Sequence, residues 1–386
     1  MAVKKFSLAI FHPFFEVKGG AEKCMLRIAE RFDATIFCIS YNRESTFPEL
    51  EKVDIRPLKG KRPLWSKVLP KRLYDGFSSG VTFYNLKLKK GEFDVFGSSS
   101  SPSEWGRRHN FPMVWYCHSP AREIYDLYEW RMRQRNVLQK MLFAGSAAVF
   151  RSVESSIVPK IEHVFANSKA VKERIRKYLH RDSEVLYSGV QFERYSCKNF
   201  EPYFLYPSRI TPEKRYEFAI KAFLKFREKH PEWRLIIAGS LLQNREEHVR
   251  YYEKIKNLLG NAGEIKLNVE DSEIYELYAN CTATLYTPLN EDFGLIPVES
   301  AASLKPCIAV KEGGPTETII DGKTGFLVEN EEEMSRKMEL LATNSEMAKK
   351  MGREGKEFCY KRFNWDLFMK RYEEVCLDLI KKKTNG

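Results

Sequence analysis

The chain has 386 residues, of which 43% are hydrophobic and 30% are charged, so it is long enough for about two packed domains and its composition excludes a disordered tail. Its apolar run at 141–150 lies between Lys140 and Arg151 and is shorter than the roughly 20 residues that cross a bilayer, so we expect no transmembrane helix. The first apolar run ends at His12 and Pro13 without a small-residue cleavage site, which favours a core strand over a signal peptide.

The net charge of +12 is unevenly distributed. Residues 1–190 carry 33 basic and 20 acidic residues, residues 191–386 carry 31 and 32, and the segment 52–90 alone carries 11 and 2. A basic half attracts nucleic acid, anionic lipid or an anionic substrate, and the alternative is a solvated lysine-rich surface. The eight cysteines lie at least 14 residues apart and form no zinc pattern, so we expect reduced core cysteines in a reducing, cytoplasmic compartment.

Short apolar strands alternate with amphipathic helices along both halves of the chain. In the first half the pattern predicts a helix at 20–31 and strands at 5–11, 35–40, 93–97, 113–117 and 163–166. In the second half it predicts helices at 213–229, 246–259, 272–281 and 364–383, and strands at 203–206, 234–238, 265–269, 282–286 and 307–310. Such alternation is typical of α/β domains with a parallel sheet covered on both faces.

This alternation predicts two doubly wound domains. A polar turn at 187–199 separates a domain at 1–190 from a domain at 191–365, and residues 366–386 form a final helix. Ligands of such domains bind at the carboxyl ends of the strands, so we expect the site in a cleft between the two domains.

Two candidates follow strands of the first domain. Gly19 and Gly20 open the first helix, where glycine lets a ligand approach the backbone and the helix N-terminus favours phosphate. An ordinary glycine turn is the alternative. His118 directly follows the strand at 113–117, and a structural histidine is the alternative there.

The segment 208–215 follows the first strand of the second domain. Thr211 is the predicted N-cap and Pro212 the first residue of the next helix. This places Ser208 and Arg209 just before the helix and Lys214 in its first turns. A cation early in a helix is unfavourable unless an anion binds there, and a guanidinium with an ammonium group suits a diphosphate. A solvated helix start is the alternative.

The segment 291–299 follows the strand at 282–286. Glu291 lies in the loop before a helix whose early part Pro297 marks, and Glu299 lies among apolar residues of that helix. A carboxylate in such surroundings needs donors, which ribose or sugar hydroxyls would supply, and helix capping by acidic residues is the alternative. The backbone N–H groups of four residues point to the same place: Phe293, Gly294, Leu295 and Ile296.

Taken together, these motifs resemble those of family 4 retaining glycosyltransferases, which have the GT-B fold of two Rossmann-like domains facing a central cleft. The Glu-x7-Glu segment, the Arg-x4-Lys pair, the double glycine and the histidine are distributed over nearly the whole chain. The segments Phe-His-Pro, Tyr-Cys-His-Ser-Pro and Glu-Asp-Phe-Gly-Leu-Ile-Pro-Val-Glu look like those of WbaZ-like mannosyltransferases, which use GDP-mannose. The hinge differs, since Ser188-Gly189-Val190 replaces the usual Asn-Gly-Val or Pro-Pro-Val.

The resemblance implies that a nucleotide-diphosphate sugar binds mainly to the second domain and the acceptor mainly to the first. It implies that Arg209 and Lys214 contact the diphosphate, that Glu299 binds the ribose and that Glu291 binds the transferred sugar, with Ser208 and the N–H groups of 293–296 in the same site.

For the first domain, the resemblance implies that Gly20, next to Gly19, approaches the phosphates and that His118 lies near the reacting carbon. It also implies a last helix that returns to the first domain. Family members need no metal, and the sequence contains no Asp-x-Asp, so we expect the donor sugar to bind without a metal cofactor.

The basic segment 52–90 interleaves cations with Trp65 and several leucines, which suits the surface of an anionic membrane. The acceptor would then be a glycan or a polyprenyl-linked saccharide, and the protein would be peripheral at the cytoplasmic face of the membrane. The alternatives are a UDP-sugar transferase of the same fold and a non-catalytic membrane- or RNA-binding protein. Because the sequence has no RNP-like, KH or helix-turn-helix pattern, we expect no nucleic-acid partner.

Overall fold

The computed structural model describes residues 6–59, 71–243 and 245–384, except for the side chains of 71–75. It divides into an N-terminal unit, Met1–Tyr187 with Phe368–Gly386, and a C-terminal unit, Ser188–Leu367. The division thus falls between Tyr187 and Ser188, whereas the sequence predicts a boundary after residue 190. Each unit is built around a large parallel sheet.

The strands of the N-terminal unit are β1 Leu8–Phe11, β2 Phe14–Phe15, β3 Thr35–Cys38, β4 Ser40–Tyr41, β5 Ile55–Pro57, β6 Val95–Ser98, β7 Met113–Cys117, β8 His163–Ala166 and β9 Glu184–Val185. Seven of them form a parallel sheet in the order β5-β3-β1-β6-β7-β8-β9, and β2 pairs separately with β4. The central strands are fully buried apolar runs, because helices cover a parallel sheet on both faces.

The first five helices of this unit are α1 Gly20–Phe32, α2 Lys71–Asn85, α3 Tyr128–Arg133, α4 Val137–Ile157 and α5 Lys169–Leu179. The buried stripe of α1 includes Met25, Ile28 and Ala29, as its 3.6-residue periodicity predicts. A capping box fixes the start of α4: the Asn136 side chain accepts from the Gln139 backbone N–H, and the Gln139 side chain accepts from the Asn136 backbone.

Two buried carboxyl groups meet in the N-terminal unit. The Ser101 hydroxyl lies 2.8 Å from Glu104 Oε1 and 2.9 Å from Glu154 Oε1, and the Tyr125 hydroxyl donates to Glu154 Oε2 at 2.6 Å. Burial and the neighbouring Glu154 charge raise the pKa of Glu104 well above its ordinary value. The Ser101 hydroxyl can donate to either carboxylate, and the raised pKa of Glu104 favours its protonated form beside the Glu154 charge.

The strands of the C-terminal unit are β10 Tyr203–Pro207, β11 Arg234–Gly239, β12 Gly263–Leu267, β13 Ala283–Tyr286, β14 Cys307–Val310 and β15 Gly325–Val328. They form a parallel sheet in the order β12-β11-β10-β13-β14-β15. Its helices are α6 Tyr216–Arg227, α7 Glu246–Leu259, α8 Asp271–Asn280, α9 Leu295–Ala302, α10 Pro315–Thr318, α11 Glu331–Thr343 and α12 Ser345–Tyr360. This strand order is that of a doubly wound nucleotide-binding domain.

The last helix, α13 Trp365–Thr384, belongs from Phe368 onward to the N-terminal unit. Tyr372 stacks near Phe165, with ring centroids 6.1 Å apart, and the Phe368 ring meets Tyr116 edge-on. The Arg371 guanidinium pairs with both carboxylate oxygens of Glu184, at 2.7 and 3.0 Å. The final helix therefore packs against β7, β8 and β9.

Three sequence-based expectations need comment. All eight cysteines are free and seven are buried, as expected, while Cys197 is partly exposed. The sequence pattern does not predict strands β2, β4, β5, β9 and β15, and of these β5 and β9 are short edge strands with little apolar character. The sequence predicts no transmembrane helix, and the structure contains one helix, 137–160, that is long and apolar enough to cross a membrane by length and composition, with 33% of its most apolar window buried.

Candidate functional site

The candidate site of the C-terminal unit lies at the point where the strand order reverses. Strand β10 pairs with β11 on one side and with β13 on the other, and both neighbours run parallel to it. The loops that leave the carboxyl ends of β10 and β13 therefore diverge from a common crevice, where ligands of doubly wound sheets bind. These loops are 208–215 and 287–294, which contain half of the predicted site residues.

Lys214 and Glu291 meet in this crevice. The Lys214 ammonium lies 2.5 Å from Glu291 Oε2 and 3.4 Å from the Tyr286 hydroxyl. The two charged side chains are only 11% and 17% exposed. The Tyr206 hydroxyl donates to the Lys214 carbonyl at 2.6 Å, and the Thr287 hydroxyl lies 3.1 Å from the same oxygen. Hydrogen bonds from the ends of both strands thus hold the Lys214 backbone.

A helix does begin at Pro212 with Thr211 at its N-cap position, as the sequence predicts, but it is a 3₁₀ turn and not the start of α6. Residues Pro212–Lys214 form a short 3₁₀ turn, and helix α6 begins at Tyr216, after Arg215 has turned the chain in the left-handed region with φ of 50°. The Thr211 hydroxyl is buried and caps no backbone N–H. Lys214 therefore lies before the helix, where the argument that the helix dipole disfavours a cation does not apply.

Arg215 joins the two loops, a role that sequence reasoning missed. Its guanidinium donates to the carbonyls of Thr287 and Pro288 at 2.8 and 3.1 Å and pairs with Glu312 at 2.9 Å. The Leu289 N–H also donates to the Glu213 carbonyl at 2.8 Å. These bonds hold the loop after β10 against the loop after β13.

Arg209 lies on the same loop as Lys214 but has different surroundings. Its side chain is exposed, and no carboxylate in the described part of the chain forms an ion pair with it. The backbone around it is held by the buried Tyr216, whose hydroxyl donates to the Ser208 carbonyl at 2.6 Å. Arg209 is therefore a solvent-exposed cation on a fixed backbone, whereas Lys214 is a buried one.

The segment 293–296 forms the N-terminus of α9. Gly294 is the N-cap with φ of 79°, and a Cβ there would lie 2.9 Å from the Tyr286 ring, so both the turn and the packing require glycine. The first N–H groups of α9, those of Leu295 and Ile296, have no partner within the helix and can bind an anion or a hydroxyl. Phe293 and Ile296 bury their side chains, so only their backbone serves this purpose.

A second glycine pair, which sequence reasoning did not single out, supports this turn. Gly313 has φ of 60°, and a Cβ on it would lie 2.2 Å from the Glu291 carbonyl. The Gly314 N–H donates to the same carbonyl at 2.9 Å. The signal was available, since the pair follows strand β14 just as Gly19 and Gly20 follow β1.

Glu299 already has donors within the protein. The Tyr278 hydroxyl donates to its Oε2 at 2.8 Å. Burial, followed by the Glu299 charge, raises the pKa of both Tyr278 and Tyr195 well above the ordinary value, so both phenols remain protonated donors. The expectation that the Glu299 carboxylate needs ligand hydroxyls as hydrogen-bond donors is therefore too strong, because tyrosine hydroxyls already supply part of its hydrogen bonds.

The predicted residues of the N-terminal unit form a separate group. His12 follows β1, and its Nε2 lies 3.9 Å from Glu22 Oε1. The space beside Gly19 is filled by the Glu22 carboxylate, which a Cβ would meet at 2.3 Å. Gly20 begins α1 directly after it, so an anion approaching Gly20 would also meet this carboxylate.

His118 is a neutral imidazole. Burial and then the neighbouring His12 lower its pKa to about 3. Its Nε2 atom is buried and has no hydrogen-bond partner among the described residues. The ring meets Tyr116 edge-on at a centroid distance of 4.9 Å. His118 can therefore donate or accept a hydrogen bond but does not act as a cation near neutral pH.

Comparison with known proteins places both units. Residues 18–194 match the model of Glycosyltransferase Family 4, and residues 191–358 match that of Glycosyl transferases group 1. The structure of Anabaena Alr3699/HepE in complex with UDP and glucose superposes with a TM-score of 0.74 at 18% identity, over 97% of this chain and 100% of the other. A sucrose-phosphate synthase from Thermosynechococcus elongatus gives 0.73 at 16%, over 97% and 99%.

The fold and the two domain matches define a glycosyltransferase with the GT-B architecture, as the sequence predicts. The chain belongs to the family 4 glycosyltransferases, with the Family 4 domain followed by the group 1 domain. It is 25% identical to the alpha-1,3/1,6-mannosyltransferase ALG2 of Mus musculus over 97% of this chain and 96% of the relative.

Proposed function

We propose that this chain is a retaining, metal-independent mannosyltransferase that transfers mannose from GDP-mannose to a lipid-linked saccharide. The observation that carries this proposal is the Lys214–Glu291 pair in the crevice between β10 and β13, next to the exposed Arg209. The similarity to alpha-1,3/1,6-mannosyltransferases along nearly the whole chain supports mannose as the sugar.

In this proposal Arg209 and Lys214 bind the diphosphate of the donor. Negative charge develops on the departing phosphate, and cations already in place stabilise it without reorganisation. Lys214 has three donors, of which Glu291 and Tyr286 engage two, so one remains for a phosphate oxygen. The N–H groups at the start of α9 and the backbone near Ser208 would contact the same donor. The two cations would perform the charge neutralisation for which other transferases use a metal.

The two glutamates of the Glu-x7-Glu segment have different roles in this proposal. Glu299 accepts from a ribose hydroxyl with the oxygen lone pairs that Tyr278 leaves available. Glu291 accepts from a hydroxyl of the transferred sugar while its Oε2 remains paired with Lys214. His118, by resemblance a sugar contact, would serve as a neutral hydrogen-bonding group.

Retention by front-face attack is the mechanism that we propose. The acceptor oxygen bonds to the anomeric carbon on the face that the phosphate leaves, and the acceptor proton passes to a departing phosphate oxygen. A double displacement would need a carboxylate nucleophile, and the ion pair with Lys214 makes Glu291 a poor one. A sugar trapped covalently on any side chain would contradict this mechanism.

The acceptor and its location remain part of the proposal. A polyprenyl-linked saccharide would bring the enzyme to the cytoplasmic face of a membrane, and the basic segment 52–90 would attract anionic lipid. Residues 60–70, which hold Trp65 and several of these cations, lie outside the described residues. The WbaZ-like subtype rests on the sequence motifs alone.

A thermal-shift panel with GDP, GDP-mannose, UDP, UDP-glucose and ADP, without metal, tests the donor. A ligand at 100 times its Kd adds about 2.7 kcal/mol to the free energy of unfolding, which raises Tm measurably. We expect a shift with the guanosine ligands, and the same shift in Arg353→Ala, a control for an exposed arginine on α12. A shift only with uridine ligands would leave the fold and exclude GDP-mannose, and no shift at all would contradict the donor site.

A further inference from the structure

Helix α4 presents an apolar face to solvent. Among the described residues, five of the large hydrophobic side chains with high exposure lie on this one helix: Val137 at 74%, Leu138 at 67%, Met141 at 69%, Leu142 at 38% and Val149 at 49%. At 100° per residue these positions fall within one side of the helix, together with Gly145, Ala148 and Ser152. A solvent-facing helix surface is normally polar, so this face requires an apolar neighbour.

The opposite face of α4 is packed in the core. Phe143, Ala147 and Phe150 are buried at the spacing of successive helical turns. The Phe150 ring lies 4.8 Å from that of Trp105, and Phe143 stacks on Tyr128 at 5.4 Å. Although the helix is long and apolar enough to cross a membrane, doing so would remove this stripe from the core of the N-terminal unit. The helix can therefore contact lipid only along its exposed face.

Cations lie along one edge of this face and just before the helix. The sequence from 128 to 160 has six basic and two acidic residues, and one of the acidic residues, Glu154, is fully buried. Lys140 and Arg151 both lie along one edge of the exposed face, where the Arg151 guanidinium donates to the Ile124 carbonyl, and Arg133 is exposed just before the helix. The apolar face itself carries no charge. An uncharged apolar strip beside cations suits a helix that lies in the interface of an anionic membrane.

The basic segment 52–90 reaches the same part of the unit. Helix α2, within that segment, packs against Trp105 through Phe77 and Tyr84, and Phe150 of α4 packs against the same ring. Val81 of α2 is another exposed apolar side chain. The two helices are therefore neighbours in the N-terminal unit.

We propose that α4 docks on an anionic bilayer, with the helix in the plane of the interface and the side chains of Val137, Leu138, Met141, Leu142 and Val149 inserted among the lipids. The partner is a lipid surface rather than a protein because the apolar strip lies beside cations on a unit of strongly positive charge. This inference goes beyond the proposed function, since it names a docking helix and does not depend on the donor or the acceptor.

The test is sedimentation of the full chain with vesicles of phosphatidylcholine alone or mixed with phosphatidylglycerol. The variant Leu138→Glu/Met141→Glu places two charges on the exposed face, and Leu340→Glu/Leu367→Glu does the same at exposed apolar positions of the C-terminal unit. We expect the wild type and the control to bind the anionic vesicles alike and the α4 variant to bind about tenfold or more weakly. Raised salt should weaken wild-type binding by screening the cations.

Equal binding of all three proteins, or no binding by the wild type, would overturn the proposal. A wild-type dimer that becomes monomeric in Leu138→Glu/Met141→Glu, seen by light scattering, with no vesicle binding, would also overturn it and identify a second copy as the partner. Melting temperature checks the fold of each variant. The nucleotide-induced thermal shift separates this proposal from the proposed function, because a variant that loses vesicle binding should keep that shift.

Discussion

Substitution of Lys214 by alanine is the sharpest perturbation of the proposed donor site. The Lys214 ammonium lies 2.5 Å from Glu291 Oε2. The Lys214 backbone is held by the Tyr206 hydroxyl, which donates to the Lys214 carbonyl. Its removal takes one preorganised cation from the leaving phosphate, and loss of one such donor costs about 10²–10³ in turnover, or about 3–4 kcal/mol. We expect kcat to fall by this amount in a mannose-transfer assay at saturating donor.

The same substitution also affects stability, and the two effects must be separated. Without Lys214, the Glu291 carboxylate, only 17% exposed, loses its ion-pair partner, which costs about 1–3 kcal/mol. For a unit of this size, each kcal/mol corresponds to a fall in Tm of roughly 2–4 °C. Lys214→Ala/Glu291→Gln removes the unpaired charge and should recover most of the lost Tm while turnover stays low.

Two results would refute this reasoning. Wild-type turnover in folded Lys214→Ala would show that the ammonium does not act on the leaving group. Recovery of turnover together with Tm in the double variant would show that Lys214 acts through stability alone. Assay temperatures well below the Tm of every variant make the comparison valid.

Arg209→Ala should lower kcat by about 10²–10³ with no change in Tm, because the side chain is exposed and unpaired, while Arg353→Ala should match the wild type in both measurements. Glu104→Gln should raise Tm at neutral pH. A carboxyl group whose pKa is raised on folding binds more protons in the folded state, so its contribution to stability is lost as pH rises above the unfolded pKa. A Tm series from about pH 5 to 8 should therefore be flatter in the variant than in the wild type. The pKa of His118, about 3, lies below its unfolded value, so the free energy of unfolding should fall as pH drops below about 6.5. ¹⁵N NMR should detect a neutral His118 imidazole at about pH 5. An imidazolium signal at that pH would contradict the assignment.

The strands were the most predictable part of the fold. Strands β7, β8 and β14 have the bounds that the sequence predicts, because a strand buried on both faces must be a continuous apolar run between polar loops. Helix α7 also matches its predicted bounds, 246–259. Prediction failed where the local signal was weak, as in the edge strands β5 and β9, and where a side chain decided the backbone, as Arg215 does before α6.

The sequence by itself determined that two parallel α/β units follow one another and that charged residues follow strands β10 and β13, since periodicity and strand ends are local properties of the chain. Only the tertiary structure decided that Lys214 pairs with Glu291, 77 positions further along, and that Tyr278 satisfies part of Glu299. It also decided that His118 is neutral and that α4 exposes its apolar face. These outcomes depend on which distant residues the crossovers of a parallel sheet bring together and on what each packed face leaves uncovered, which no local pattern contains.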